Sequence, residues 1–545
     1  MNGKGNGVRV SLRAMRHCRR WLAVIIMVVL GAAVAAPGPA AADRLALAQA
    51  IATAAARDRT IAEFYRDRKY RTLWTGRADR ARRNALLDAL SRAAEHGLPA
   101  ARYGVDRLVD AFRRARTDRD RGAVEVAATR AFLEYARDVQ SGVIDPRRVD
   151  KEIARVPPRR DPRKLLEAFA QSTPAAFLRR LPPQGREYAQ LLKEKSRLEK
   201  VIRAGGWGAP VKARKLEPGD SGPAVVALRD RLWRMGYLRR STSTLYDDKL
   251  QKAVQVFQLD HGLAPDGVAG AATLAALNVP AEDRLAQIVI QLERRRWLNK
   301  PLGDRHILVN IPAFTAYVVD HGKVSFETRV VVGKAGKDTR TPEFSDVMTH
   351  MIVNPRWNVP KSIATKEYLP LLKKNPNAVG YFQLRDRSGR LVSRDEVDFS
   401  ALSEEEFPFD MIQPPSDSNA LGKVKFMFPN KFNIYLHDTP AKSLFNRTAR
   451  AYSHGCVRVA RPFDLAYFLL EKEVSDPKGY FHRVLATGEE TRIDLSEHVP
   501  VHIVYHTAWA DPKGRINYRA DIYGRDRRIR EALSAAGVAL GDVHS

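Results

Sequence analysis

Cys456 stands in the run Ser453-His-Gly-Cys-Val-Arg458, and fifteen residues separate Ser453 from His437, which lies in Asn433-Ile-Tyr-Leu-His-Asp-Thr-Pro440. A cysteine attacks as its thiolate, so it needs a base or positive surroundings. An imidazole supplies the base, and His437 and His454 both lie close in sequence. Gly455 lets the chain turn tightly, so that its own N–H and that of Cys456 face a developing oxyanion. Arg458 lies two residues beyond the thiol; in a strand it shares the thiol's face and adds positive charge. Tyr435 alternates with His437 and shares its face in the same way. Read as chemistry alone, one thiol and two imidazoles admit acyl transfer through a thioester, a Cys/His metal site, or a buried structural cluster. Metal sites want three or four ligands at short spacing, and no fourth ligand stands out here. The spacing does not separate the other two readings.

These residues need rigid supports. Lys431 to Leu436 reads as a strand carrying His437 at its end, and the turn Asp438-Thr-Pro440 follows. Pro462 to Glu471 reads as a helix with proline in its first turn. Further β-branched or aromatic runs cover His306 to Ile311, Thr315 to Val319, Phe326 to Val332, Val347 to Val353 and Val501 to Tyr505. The predicted result is a mostly β, sandwich-like domain over 305–510. It is interrupted at 361–422 by an insertion with one short helix (Ala364 to Lys373), the acidic run Glu404-Glu-Glu406 and Pro414-Pro415. A long insertion inside a compact domain is often a lid.

Upstream the pattern is helical. Residues 43–207 hold candidate helices at Leu45–Ala56, Asn84–Glu95, Val124–Val139, Asp161–Phe169 and Pro183–Arg203, with no catalytic cluster among them. Phe64, Tyr65 and Trp74 read as core. A compact unit over 208–280 has three helices: Val225 to Gly236, Leu250 to His261 and Ala271 to Leu277. A helix from Ala281 to Trp297 then connects to the β domain, over 281–304. The remainder, 511–545, is expected to pack on the catalytic or the helical domain. The fold class is thus multidomain α+β.

At 545 residues with 44% apolar composition, the chain is globular and too long for one core. Its formal charge is +30. Removing residues 1–42, which hold six basic residues and no acid, leaves +24. Such a surface suits nucleic acid or a polyanionic envelope. The N-terminus chooses between them. Arg9, Arg13, Arg16, Arg19 and Arg20 precede the uncharged run Trp21–Ala36, and Pro37-Gly-Pro-Ala-Ala-Ala42 offers a cleavage site. This is the layout of an export signal, or of an uncleaved anchor, and it predicts a periplasmic, cell-envelope location. Of the two cysteines, Cys18 lies in that signal, so Cys456 has no disulfide partner after cleavage. No nucleic-acid motif stands out, and a membrane is met only through an uncleaved N-terminus.

The unit over 208–280 resembles the type-1 peptidoglycan-binding module. The resemblance is carried by Gly219-Asp-Ser-Gly222, Leu228, Leu232, Gly236-Tyr237, Tyr246-Asp247, Ala253-Val254, Phe257-Gln258, Gly262-Leu-Ala-Pro-Asp-Gly267 and Thr273-Leu-Ala-Ala-Leu-Asn278. His437-Asp-Thr with Ser453-His-Gly-Cys-Val-Arg458 resembles the signature of the L,D-transpeptidase (YkuD-type) catalytic domain. The wider pattern is similar to the large, scaffold-containing members of that family. It runs through Phe132-Leu-Glu-Tyr-Ala-Arg-Asp138, Asp145-Pro146, Val309-Asn-Ile-Pro312, Thr341-Pro342, Asn354-Pro-Arg-Trp-Asn-Val-Pro360 and Lys425-Phe-Met-Phe-Pro-Asn430. Asp438 departs from the glycine that many members carry after the first histidine.

The resemblance implies a cysteine acyltransferase that joins peptidoglycan stem peptides by 3→3 cross-links. Cys456 is then the nucleophile, His437 the base, Gly455 and Cys456 the oxyanion-hole donors, and His454 a supporting catalytic residue. Arg458, Ser453, Tyr435, Trp357 and Asn354 become candidate substrate contacts. Neither metal nor cofactor is implied, because cleaving one amide drives formation of the next. The expected partners are stem peptides, with wall synthases or envelope proteins beside them. Rival readings are an L,D-carboxypeptidase, an enzyme attaching an envelope protein to the wall, and a non-catalytic wall-binding scaffold.

Overall fold

The computed structural model describes residues 39–541. Residues 1–38, with Cys18 and most of the expected export signal, lie outside the described residues. No described helix is long and apolar enough to cross a membrane.

The first part of the chain packs helices around Trp74, Phe132 and Phe169, whose ring centroids lie 4.6–5.9 Å apart. The long helix Asp118–Ser141 begins at a capping box. Thr117 Oγ accepts the Asp120 N–H, and Asp120 returns the bond to the Thr117 N–H, both at 3.1 Å. Gly122 on that helix touches the backbone of Ala50 so closely that a Cβ would lie 2.7 Å from it. Buried Glu125 accepts hydrogen bonds from Tyr65, Thr75 and the Leu73 and Trp74 amides. Phe64, Tyr65 and Trp74 are thus core, as expected.

Residues 208–280 form three helices, Pro223–Met235, Asp248–Asp260 and Ala271–Leu277, around Leu228, Leu232, Leu250, Val254 and Phe257. Asp247 caps the second helix by accepting the Leu250 N–H at 2.9 Å.

The helix Ala281–Trp297 is a hub, not the plain connector the sequence suggested. Gln291, Glu293, Arg294 and Arg296 on it are buried and reach side chains or backbone of distant segments. Arg294 pairs with Glu343 of the β domain at 2.7 Å and with Asp526 of the C-terminal segment at 3.1 Å. Glu293 accepts the Val143 N–H at 2.6 Å, and Arg296 donates to the Tyr188 hydroxyl at 3.1 Å. The C-terminal helix Arg525–Ala535 packs on this hub. Arg525, fully buried, reaches Glu152, Glu343 and the Thr341 carbonyl. Removing a single partner would strand a charge, so these bonds specify how the parts dock.

Besides a two-stranded hairpin, Ala508–Ala510 with Ile516–Tyr518, the C-terminal region builds nine strands of one sheet and four of another. The strands are β1 (Arg305–Asn310), β2 (Thr315–Asp320), β3 (Lys323–Gly333), β4 (Phe344–Val353), β5 (Trp357–Asn358), β6 (Gln383–Arg385), β7 (Leu391–Val392), β8 (Asp410–Gln413), β9 (Val424–Met427), β10 (Leu436–His437), β11 (Ala451–Ser453), β12 (Val457–Val459) and β13 (Thr491–Val504). The large sheet runs β11-β3-β12-β10-β9-β4-β13-β1-β2 and also joins β3 to β2. The β3 strand makes this closure possible. Its first part pairs with β2 up to Arg329, and Val330 and Val331 pair with β12. One long strand can serve two neighbours because strands bend and twist where they change partner.

The insertion is a small domain of its own, with a four-stranded sheet β5-β8-β6-β7 and a core that includes Trp357, Phe382, Leu384 and Met411. Its helical part is not the plain helix expected over Ala364–Lys373. Residues Lys361–Ile363 and Leu369–Lys374 are α-helical, and Ala364–Tyr368 between them is a π-helix. Pro370 gives the cause: it offers no N–H and crowds the carbonyl four residues back, so the turn before it widens.

Candidate active site

Two short parallel strands carry the chemistry. Leu436 pairs with Val457 and His437 with Arg458. The Val457 N–H donates to the Tyr435 carbonyl at 3.1 Å, and one further step of this register places Tyr435 beside Cys456. Leu436 and Val457 point into the core and are fully buried. By alternation, Tyr435, His437, Cys456 and Arg458 occupy the opposite face together. His437 and Cys456 are diagonal neighbours there, a spacing that aromatic and long side chains span.

The strand expected over Lys431–Leu436 shrinks to its last residue, with His437 completing β10. Asn430 explains the loss. Its side-chain NH2 donates to the Phe428 and Ile434 carbonyls at 2.6 and 2.7 Å, and its oxygen accepts the Phe432 N–H at 3.0 Å. Asn433 then takes a left-handed φ of 53°. This pinned loop presents the Asn433 carbonyl to Cys456, whose thiol donates to it at 3.5 Å.

Burial pushes the Cys456 thiol up to about 11, opposed by the Tyr435 amide and hydroxyl and by Arg458. Burial, then Arg458, holds the His437 imidazole down at about 3, while the Asp438 and Leu421 carbonyls act the other way. Both groups are therefore neutral near pH 7. His437 Nδ1 meets the Asp438 carbonyl at 2.5 Å. A carbonyl only accepts, so Nδ1 carries the proton and Nε2 keeps its lone pair for a thiol proton. Asp438, the departure from the family pattern, closes the turn. Its carboxylate accepts the Lys423 and Thr439 amides at 2.9 and 2.7 Å.

The turn before the thiol is fixed from two sides. Gly455 has φ +121°, and a Cβ there would lie 3.1 Å from Ile434 Cδ1, so only glycine fits without strain. Thr341, fully buried, donates to the Gly455 carbonyl at 2.7 Å. Ser453 Oγ accepts the Gly455 N–H at 3.1 Å and donates to the Cys456 carbonyl at 2.5 Å.

That arrangement revises several expectations. The Gly455 N–H is already engaged by Ser453 Oγ, which leaves the Cys456 N–H as the candidate donor to an oxyanion. Ser453 is buried and spends its hydroxyl on the turn, not on a substrate. Asn354 is 4% exposed and donates to the Leu485 and Glu489 carbonyls at 3.0 and 3.3 Å; it ties β4 to the helix Pro477–Ala486. Trp357 belongs to the insertion core, against Tyr368 and Phe382. Both belong to the run Asn354-Pro-Arg-Trp-Asn-Val-Pro360, and a local reading does not reveal which way such side chains turn.

His454 has a partner that sequence reading missed. Its Nε2 meets Glu367 Oε1 of the insertion at 2.5 Å. Burial lowers the pKa of Arg458, opposed first by Cys456 and then by Tyr368 of the insertion. Arg458 makes no ion pair among the described residues, and its Nε is buried without a partner. The π-helical turn thus reaches the site through Glu367, while Tyr368 packs on Trp357 and Phe382 of the insertion core. Pro370 inside a helical stretch was the available signal for an irregular turn.

Residues 304–488, which contain every one of these side chains, match the model of the L,D-transpeptidase catalytic domain. They form an L,D-transpeptidase domain. Residues 221–277 match the model described as "Putative peptidoglycan binding domain", and residues 59–194 match a scaffold domain. The chain is 37% identical over 228 residues to a Haemophilus influenzae protein described as "Putative L,D-transpeptidase". The match covers 42% of this chain and 45% of that protein, so the chain spans about half the length of this curated relative. Among solved structures, an L,D-transpeptidase from Xylanimonas cellulosilytica is 15% identical, with a TM-score of 0.16 over 54% of this chain and 100% of that one. Another from Stackebrandtia nassauensis is 16% identical, with a TM-score of 0.20 over 55% of this chain and 97% of that one. In chain order, a segment matching the scaffold model is followed by one matching the putative peptidoglycan-binding model and then by the L,D-transpeptidase match.

Proposed function

We propose that this chain is a periplasmic peptidoglycan L,D-transpeptidase that forms 3→3 cross-links through a cysteine thioester. The observation that carries the reading is the common face shared by Cys456 and His437 on two adjacent strands of an L,D-transpeptidase domain. His437 Nε2 takes the thiol proton as Sγ attacks the carbonyl between the third stem residue and the terminal D-Ala. The Cys456 N–H donates to the oxyanion. The C–N bond breaks, the proton passes from His437 to the departing amine, and D-Ala leaves. The side-chain amine of a neighbouring stem, a diamino acid, then attacks the thioester and gives its proton to His437. The C–S bond breaks and the thiol is restored.

Because thiol and imidazole rest neutral, the proton moves with the attack and not before it. Arg458, a cation without an ion-pair partner among the described residues, suits a carboxylate of the stem peptide. The test is intact-mass analysis after exposure to a carbapenem, which is a β-lactam that acylates thiols of this kind. One covalent adduct on the wild type and none on Cys456→Ala supports the reading; an adduct on both removes Cys456 from the role of nucleophile.

A further inference from the structure

Three side chains stand in one row across the sheet beside the thiol. His437 on β10 pairs with Arg458 of β12 on one side and with Lys425 of β9 on the other. Val424 and Phe426 lie in the core, so Lys425 between them faces the other way, with His437 and Arg458. Neighbouring strands lie about 4.8 Å apart, so the two cations are rooted about 10 Å from each other with the imidazole between them. The charge of Lys425 is felt at His437, after those of nearer groups. Arg458 follows Cys456 by two residues, whereas Lys425 lies across the base from the thiol.

Lys425 is half-buried and makes no ion pair among the described residues. Glu490, the acid whose charge reaches it, is spent on Arg356, whose amide and Nε donate to it at 2.5 and 3.1 Å. Burial lowers the Lys425 pKa, so an anion brought to this ammonium restores what burial takes. The reaction itself identifies the anion. The imidazole that takes the thiol proton returns it to the departing amine, so the leaving nitrogen sits against His437. In a terminal amino acid the carboxyl carbon is only about 2.5 Å from that nitrogen. Sγ keeps the acyl half of the donor on the side of Arg458, which leaves the departing residue the side of β9.

We infer that Lys425 binds the α-carboxylate of the departing terminal residue and so selects donors that end one residue past the scissile amide. Arg458 then serves the acyl half. A donor that continues beyond that residue presents an uncharged amide to the ammonium and forfeits a charge-assisted hydrogen bond. The inference rests on the transpeptidase reading and names the side chain that selects its donor.

Donor turnover by the exported chain is the test. One donor is a synthetic stem tetrapeptide ending in D-alanine, and the other is its C-terminal carboxamide; mass spectrometry follows release of D-alanine or D-alaninamide at a fixed acceptor concentration. Wild type should favour the free acid by about 10- to 100-fold in kcat/KM, the span of one hydrogen bond to a charged group. Lys425→Met keeps the apolar stem and removes the charge. It should lose that factor on the free acid and hold the wild-type rate on the amide, whereas a purely structural defect slows both alike. Lys425→Arg should restore the preference, and Arg458→Met should slow both donors and keep it. A carbapenem adduct on Cys456 reports that each variant folds. Equal turnover of both donors by a wild type that forms the adduct, a preference retained in Lys425→Met, both donors slowed alike in that variant, or a preference lost only in Arg458→Met would overturn the proposal. A wild type with neither adduct nor turnover overturns the catalytic reading, and this one with it.

Discussion

Glu367 of the insertion and His454 of the catalytic motif meet at 2.5 Å, across the boundary between two separate hydrophobic cores. This contact links the cap to the residue two before the thiol. The two side chains are 44% and 30% exposed, so screening keeps the pair at about 1 kcal/mol.

Glu367→Gln removes the charge and keeps the shape. About fivefold less cross-linking is expected, from that ~1 kcal/mol, with carbapenem acylation close to wild type. Hydrogen exchange over residues 361–374 should rise in the variant. Unchanged exchange there would show that the contact does not hold the cap.

The pH dependence of the thiol follows from its environment. With Cys456 near 11 and His437 near 3, no thiolate–imidazolium pair exists at neutral pH. For an acid whose pKa is raised, the reactive form accumulates only as pH climbs. The rate of iodoacetamide labelling of Cys456 should therefore rise steadily from pH 7 to 9. A plateau across that window would mean that an ion pair is preformed. Arg458→Ala removes a group that favours the thiolate and should slow labelling further.

Gly455→Ala tests the turn. Its φ of +121° and the Ile434 contact at 3.1 Å make any side chain strained by about 1–3 kcal/mol. That strain falls on the residue next to the thiol. About 10- to 100-fold slower acylation is expected, with the thermal midpoint of the other domains unmoved. Acylation at the wild-type rate would show that the turn tolerates a Cβ.

Asn354→Ala should separate stability from chemistry. The side chain closes two carbonyls and touches no reacting group in this arrangement. A loss of about 1–3 kcal/mol in urea unfolding is expected, with the acylation rate of folded enzyme unchanged. A rate loss without a stability loss would return Asn354 to the substrate channel.

Much of this was legible in the sequence, for physical reasons. Cys456, Gly455 and His437 are read from residue type, because their chemistry depends on few alternatives. The helices Pro223–Met235 and Asp248–Asp260 follow from period and caps. Long-range pairing was not legible. Arg294 and Arg296 are buried against acids and hydroxyls from distant segments, which the periodicity of their own helix does not announce. The strand over 431–435 failed because the local Asn430 bonds outcompete a ladder. Ser453 and Gly455 satisfy each other, a contact that depends on the turn's geometry and not on residue type. Glu367 sits almost ninety residues from its partner, so no local pattern connects them.

The central claim is that Cys456 carries the acyl group from one stem peptide to another. Mass spectrometry of muropeptides, after tetrapeptide-rich sacculi are incubated with wild type or Cys456→Ser, tests it most directly. Wild type should release D-Ala and produce 3→3 dimers, and the variant should produce neither. Dimers formed by the variant, or trimmed monomers alone from the wild type, would contradict the account.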